Sequence, residues 1–133
     1  MINQSQPSID LQAEVWRDLL VSILSVNNYP LEKTYAHLLG LQSEGLCSPD
    51  NLAKWTVEEI ANRLKAAGVD RGSFMTGLYA RRLAALGAAV RTIGLTNFTN
   101  SLLAKRAEIS SLLLPIEGIG PRVLMNFFAL RHI

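Results

Sequence analysis

Apolar side chains recur at helical spacing along almost the whole of this chain, and no convincing strand pattern interrupts them. Leu11, Val15, Leu19 and Ile23 fall every fourth residue, with Trp16, Leu20 and Leu24 beside them. This predicts a helix from about 9 to 26, capped by Ser8 or Asp10. Asn27-Asn28-Tyr29-Pro30 is a stop signal. Pro30 suits the first turn of a second helix, which runs to about Leu39 with Gly40 as its cap. Residues 42–48 read as a loop, and Ser48-Pro49-Asp50 opens a short helix. Thr56-Val57-Glu58-Glu59 is a capping box, in which Thr56 and Glu59 satisfy each other's free N–H groups. Its helix carries Ile60 and Leu64 and ends before Gly68. A long helix follows from about 72 to 92, with Met75, Leu78, Leu83, Leu86 and Val90 on one face and Gly94 closing it. Asn97 or Thr99 caps another short segment; residues 105–113 and 121–131 are the last two helices, joined by a turn at 115–120. The implied fold is all-α: one compact multi-helix domain over residues 1–133, with no repeat or interdomain linker.

Composition agrees with that fold. Of the 133 residues 49% are apolar and 18% charged, which is globular rather than disordered. A domain of this size buries roughly 65–70% of its unfolded surface and needs no covalent or metal staple. A single cysteine, Cys47, excludes an internal disulfide, a cysteine-ligated zinc site and an iron–sulfur cluster within one chain. The N-terminus has no basic region leading into an apolar core. The apolar stretch from Leu19 to Val26 is broken by Ser22 and Ser25 and is too short to span a bilayer. The expectation is a cytoplasmic chain with no membrane partner.

Charge is distributed unevenly. The formal net charge is only +2, but residues 1–66 carry five cations against eight carboxylates, net −3. Residues 67–133 carry eight cations against three carboxylates, net +5, and seven of those cations are arginine. Guanidinium forks suit phosphate, and a basic half suits a polyanion. A solvated helical surface with chance imbalance accounts for the charge equally well.

The informative segment is 112–124, Leu-Leu-Leu-Pro-Ile-Glu-Gly-Ile-Gly-Pro-Arg-Val-Leu. Gly118-Ile119-Gly120 makes a tight turn between two helices, since glycine permits positive φ and close backbone approach. Pro121 is preset for the first turn of the next helix. The free N–H groups at that helix end suit a phosphate, and Ile119 plugs the gap between the helices. A plain interhelical loop with two convenient glycines is the alternative.

This segment resembles a helix-hairpin-helix motif, the non-sequence-specific grip on a DNA backbone, over about 105–131. Beyond it, the chain resembles the helical domain of the endonuclease III-type DNA glycosylases, whose hairpin reads Leu-Pro-Gly-Val-Gly-x-Lys-x-Ala. Here the window is Ile116-Glu117-Gly118-Ile119-Gly120-Pro121-Arg122-Val123-Leu124. Leu24-Ser25-Val26-Asn27 stands where the family has Leu-Ser-x-Gln, and Gly68-Val69-Asp70-Arg71 resembles its mid-domain turn. The resemblance implies DNA-binding residues Gly118, Ile119, Gly120 and Arg122, and a monovalent cation on hairpin carbonyls. It makes Asn27 a polar wedge into the base stack; on its own Asn27 reads as a turn asparagine.

The departures bear on chemistry. The lysine that forms a Schiff base in lyase-type members is Arg122 here, and a guanidinium cannot serve as that amine. The family's catalytic aspartate lies beyond the next helix, past Ile133, and its four-cysteine cluster has no counterpart in these residues. Glu117 sits where the family has proline, and a carboxylate beside a phosphate is unfavourable.

No other catalytic pattern is present. His37 and His132 have no ligand-spaced partner, adjacent Glu58 and Glu59 do not face each other on a helix, and Cys47 has acidic neighbours that do not activate a thiolate. No catalytic residue and no metal site is therefore expected. The last helix is apolar nearly all round, through Val123, Leu124, Phe127, Phe128 and Leu130. Either a homodimer covers it, with Trp16 or Phe98 as neighbours, or the domain's own helices do. The expected function is DNA binding of glycosylase ancestry, related to DNA repair, without an intact catalytic site. The alternatives are a monofunctional DNA glycosylase whose acid comes from a missing segment or partner, and a helical protein-interaction or dimerisation domain.

Overall fold

In the computed structural model, which describes residues 8–26 and 30–133, helix follows helix with no strand among the described residues. They are α1 (Ile9–Leu24), α2 (Leu31–Ala36), α3 (Leu38–Ser43), α4 (Pro49–Lys54), α5 (Val57–Ala66), α6 (Ser73–Ile93), α7 (Leu95–Leu102), α8 (Arg106–Leu113) and α9 (Pro121–Arg131). Asn27, with Asn28 and Tyr29 of the expected stop signal, lies outside the described residues.

The starts follow local chemistry. Ser8 Oγ accepts from Leu11 N at 3.1 Å, Ser48 Oγ from Asn51 N at 3.4 Å and Thr56 Oγ1 from Glu59 N at 3.1 Å. Each satisfies one N–H that a helix start leaves free. The capping box is only half made: Glu59 turns to Arg63 at 2.7 Å instead of back to Thr56. The expected second helix is also split, since α2 ends at His37 and α3 runs on to Ser43.

Two helices carry the core. Val15, Leu19, Ile23 and Leu24 of α1 are fully buried, so it is the central element. The 21-residue α6 packs on α4 and α5 and also touches α1 and α7. Its buried face is Thr76, Tyr79, Ala80, Leu83, Leu86 and Val90, so the N-terminal half is turned relative to the Met75–Leu78 stripe expected from periodicity. The α4–α6 crossing is close enough that a Cβ on Gly87 would overlap the Leu52 carbonyl. Trp16 stacks on Phe98 with centroids 5.4 Å apart, and its Nε1 donates to Thr99 Oγ1 at 3.0 Å.

α9 lies along α1 and buries Val123, Leu124 and Phe127. The chain's own helices thus cover much of its apolar perimeter, leaving Met125 exposed and Phe128 and Leu130 partly so. No described helix is long and apolar enough to cross a membrane.

Candidate functional site

The segment between α8 and α9 is a turn of seven residues, 114–120, shaped by two internal hydrogen bonds. Ile116 N donates to the Leu113 carbonyl at 3.0 Å, and Ile119 N to the Ile116 carbonyl at 3.1 Å. Gly118 adopts φ +85°, the region that side chains disfavour. Ile116 and Ile119 point inward, 8% and 4% exposed, and so fix the turn to the core. Gly118, Gly120, Pro121 and Arg122 remain at the surface.

Gly120 is the N-cap of α9 and Pro121 its first residue. No side chain caps this helix. The N–H groups of Gly118, Gly120 and Arg122 have no acceptor among the described residues. A Cβ on Gly120 would meet nothing within 4 Å, so the space beside Gly120 is open. Unbonded N–H groups at a helix start form a site of positive potential. On the acceptor side, the carbonyls of Leu114, Glu117 and Ile119 accept no hydrogen bond from the described residues. Such hard oxygen donors suit an alkali cation.

One partner of this turn comes from far away in the chain. Arg82, on α6, packs its aliphatic stem against Gly118, where a Cβ would collide with it. Its Nε and Nη1 are enclosed and have no hydrogen-bond partner. The guanidinium lies 6.0 Å from the centre of the Tyr79 ring. Arg81, Arg82, Lys105 and Arg106, four cations of the basic half, do not gather at one place. Arg82 joins the turn and Arg81 is exposed on the same helix. Arg106 instead lies 4.8 Å over the Phe128 ring and donates to the Ile133 carbonyl, at the opposite end of α9. Lys105 precedes Arg106 at the start of α8, so neither joins the Gly118 turn. Glu117 is exposed and faces a groove between α6 and α8.

α9 is aimed by its contacts with α1. Asn126 Nδ2 donates to the Ser25 carbonyl at 3.0 Å and to the Ser22 carbonyl at 3.3 Å. The Val26 carbonyl accepts from Tyr79 Oη at 3.2 Å, and Arg71 Nη1 lies 2.5 Å from that same hydroxyl. The end of α1, immediately before Asn27, is thus tied to α6 and α9. At the other end of α9, Arg131 Nη1 bridges Glu14 and Asp18, each at 2.9 Å. Its hydrogen bond and charge hold the Glu14 carboxyl below its usual pKa. Asp18 is 2% exposed and takes a second contact from Arg17 at 3.1 Å.

The remaining reactive side chains are scattered. Burial pushes the Cys47 thiol up to about 11. His37 lies between α2 and α3 with its ring against Gly68, and His132 ends α9 at the surface with φ +58°. Among the described residues no three of His, Cys, Asp and Glu gather in a metal-binding group. The pairing of buried Asp18 with Arg131 and the Arg82 contact with Gly118 were not legible in sequence, because each joins residues tens of positions apart with no motif between them. No family model, no curated protein and no solved structure matches this chain.

Proposed function

We propose that this chain is a non-sequence-specific DNA-binding protein that grips the phosphate backbone with a helix-hairpin-helix formed by α8, the Gly118–Gly120 turn and α9. The observation that carries the reading is the uncapped start of α9, with its unbonded N–H groups, open space beside Gly120 and exposed Arg122. A phosphate oxygen takes the backbone donors, and the Arg122 fork adds a charged contact. Arg82, which packs against Gly118 with its Nε and Nη1 enclosed and without hydrogen-bond partners, raises the positive potential of the turn. A monovalent cation on the free carbonyls of Leu114, Glu117 and Ile119 would add positive charge to the turn. Such contacts carry no base information, so the binding follows the backbone and not the sequence. The resemblance to the DNA glycosylases supplies a DNA-repair setting, and no catalytic role is assigned to any residue.

The test is fluorescence anisotropy of a labelled duplex across a salt series. Two to three phosphate contacts give a slope of log affinity against log salt of about −2 to −3. Arg122→Glu and Gly120→Glu should each lower affinity at least roughly tenfold at low salt, with helix content unchanged by circular dichroism. Unchanged affinity in both variants rules the reading out.

A further inference from the structure

α6 and α8 both pack on α7 but hardly on each other, and the gap between them is an open groove of about 970 Å³. Its α6 wall is built from Ala85, Ala88 and Ala89, and Leu112 and Ile116 give the facing wall an apolar surface. Short side chains on one wall let the backbone of another helix approach to the usual 8–10 Å between axes. From Ala85 to Ile93, α6 advances about 12 Å, the length of two helical turns. The shape is that of a vacant helix position.

Charge specifies what fits there. Glu108 and Glu117 stand on the α8 side of the groove, both exposed, and neither has an ion-pair or hydrogen-bond partner among the described residues. They are two of only three carboxylates in residues 67–133, a half whose net charge is +5. The two flank α8, Glu108 in its first turn and Glu117 in the turn that follows it. Glu117 adjoins Gly118, against which Arg82 packs one turn before Ala85. An apolar trough with two unpaired anions flanking α8 complements a cationic amphipathic helix.

We propose that this groove docks a helix from a partner protein, with small aliphatic side chains on its buried face and a lysine or arginine near each end, about two turns apart. The proposal is independent of the DNA reading.

The test uses the full chain and two synthetic probes. Both are fluorescein-labelled 16-residue helical peptides with an alanine–leucine face; one carries lysine at two flanking positions seven residues apart, the other glutamate. Anisotropy at low salt should show the lysine peptide binding tighter by roughly tenfold, the contribution of two exposed ion pairs. The double variant Glu108→Lys with Glu117→Lys should reverse that order. Ala88→Trp fills the groove from α6 and Ser111→Trp from α8, and each should abolish binding of both peptides with unchanged thermal unfolding. Failure of both peptides to bind, or equal binding insensitive to the charge reversal, overturns the proposal. So does sedimentation showing a dimer that either tryptophan variant returns to monomer, because the occupant is then a second copy of this chain.

Discussion

Asn126, midway along α9, donates its side-chain amide to the Ser25 carbonyl at 3.0 Å, where α1 ends. A second bond reaches the Ser22 carbonyl at 3.3 Å. Terminal carbonyls of a helix need such partners, and these two also fix how α9, and with it the turn at its start, sits against the core. Asn126→Ala removes both donors and should destabilise the fold by about 1–2 kcal/mol. Asn126→Asp should cost more, since a carboxylate would then face two carbonyl oxygens. Urea unfolding of the three proteins checks the order.

The two glycines of the turn should respond differently. Gly118 has φ +85° and lies against Arg82, so Gly118→Ala meets both backbone strain and a collision. A loss of about 1–3 kcal/mol is expected. Gly120 has φ −121° and open space, so Gly120→Ala should change stability by less than about 0.5 kcal/mol. Equal losses at the two positions, measured by chemical denaturation, would contradict the geometry of the turn.

That contrast separates what was legible in the sequence from what was not. The caps at Ser8, Ser48 and Thr56, the long α6 between Gly72 and Gly94, and the Pro121 start of α9 all act locally, and local chemistry decides them. The break at His37 is not local. Gly40 packs against Ala67 so closely that a Cβ would overlap its carbonyl, and the buried Thr34 hydroxyl meets Ser25 Oγ at 2.8 Å. Those contacts are made with α1 and the end of α5, and a periodicity read along residues 30–43 cannot contain them. The same holds at the turn itself. Its glycines were readable, but the position of Arg82 against Gly118 and the departure of Arg106 to Phe128 depend on how α6 and α8 are placed.

Cys47 should be a poor nucleophile. Burial raises its thiol from 9.0 to about 11, so near pH 8 it holds about a hundredfold less thiolate than an unshifted thiol. Alkylation by iodoacetamide at pH 8 should therefore run at least about a hundredfold slower in the folded chain than in guanidinium. Comparable rates in the two conditions would show that the thiol is neither buried nor shifted.

Arg131 connects the last turn of α9 to Glu14 and Asp18 on α1, and its removal should reveal itself through pH. Asp18 is 2% exposed, so Arg131→Met leaves a buried carboxylate with Arg17 and the Tyr35 hydroxyl as its remaining partners. The loss should be about 2 kcal/mol at pH 7, below the 3–5 kcal/mol of a fully unpaired buried charge. Glu14 adds the pH dependence. Arg131 holds its folded pKa below the ordinary 4.5, so its contribution is complete above pH 4.5 and is lost as pH falls through the folded value. In Arg131→Met that contribution is absent at every pH. The stability gap between the two proteins should hence be constant from pH 7 to about pH 5 and narrow below it. Urea midpoints at pH 7, 5, 4 and 3 measure the gap, and one that widens on acidification would mean that Arg131 does not pair with Glu14 in solution.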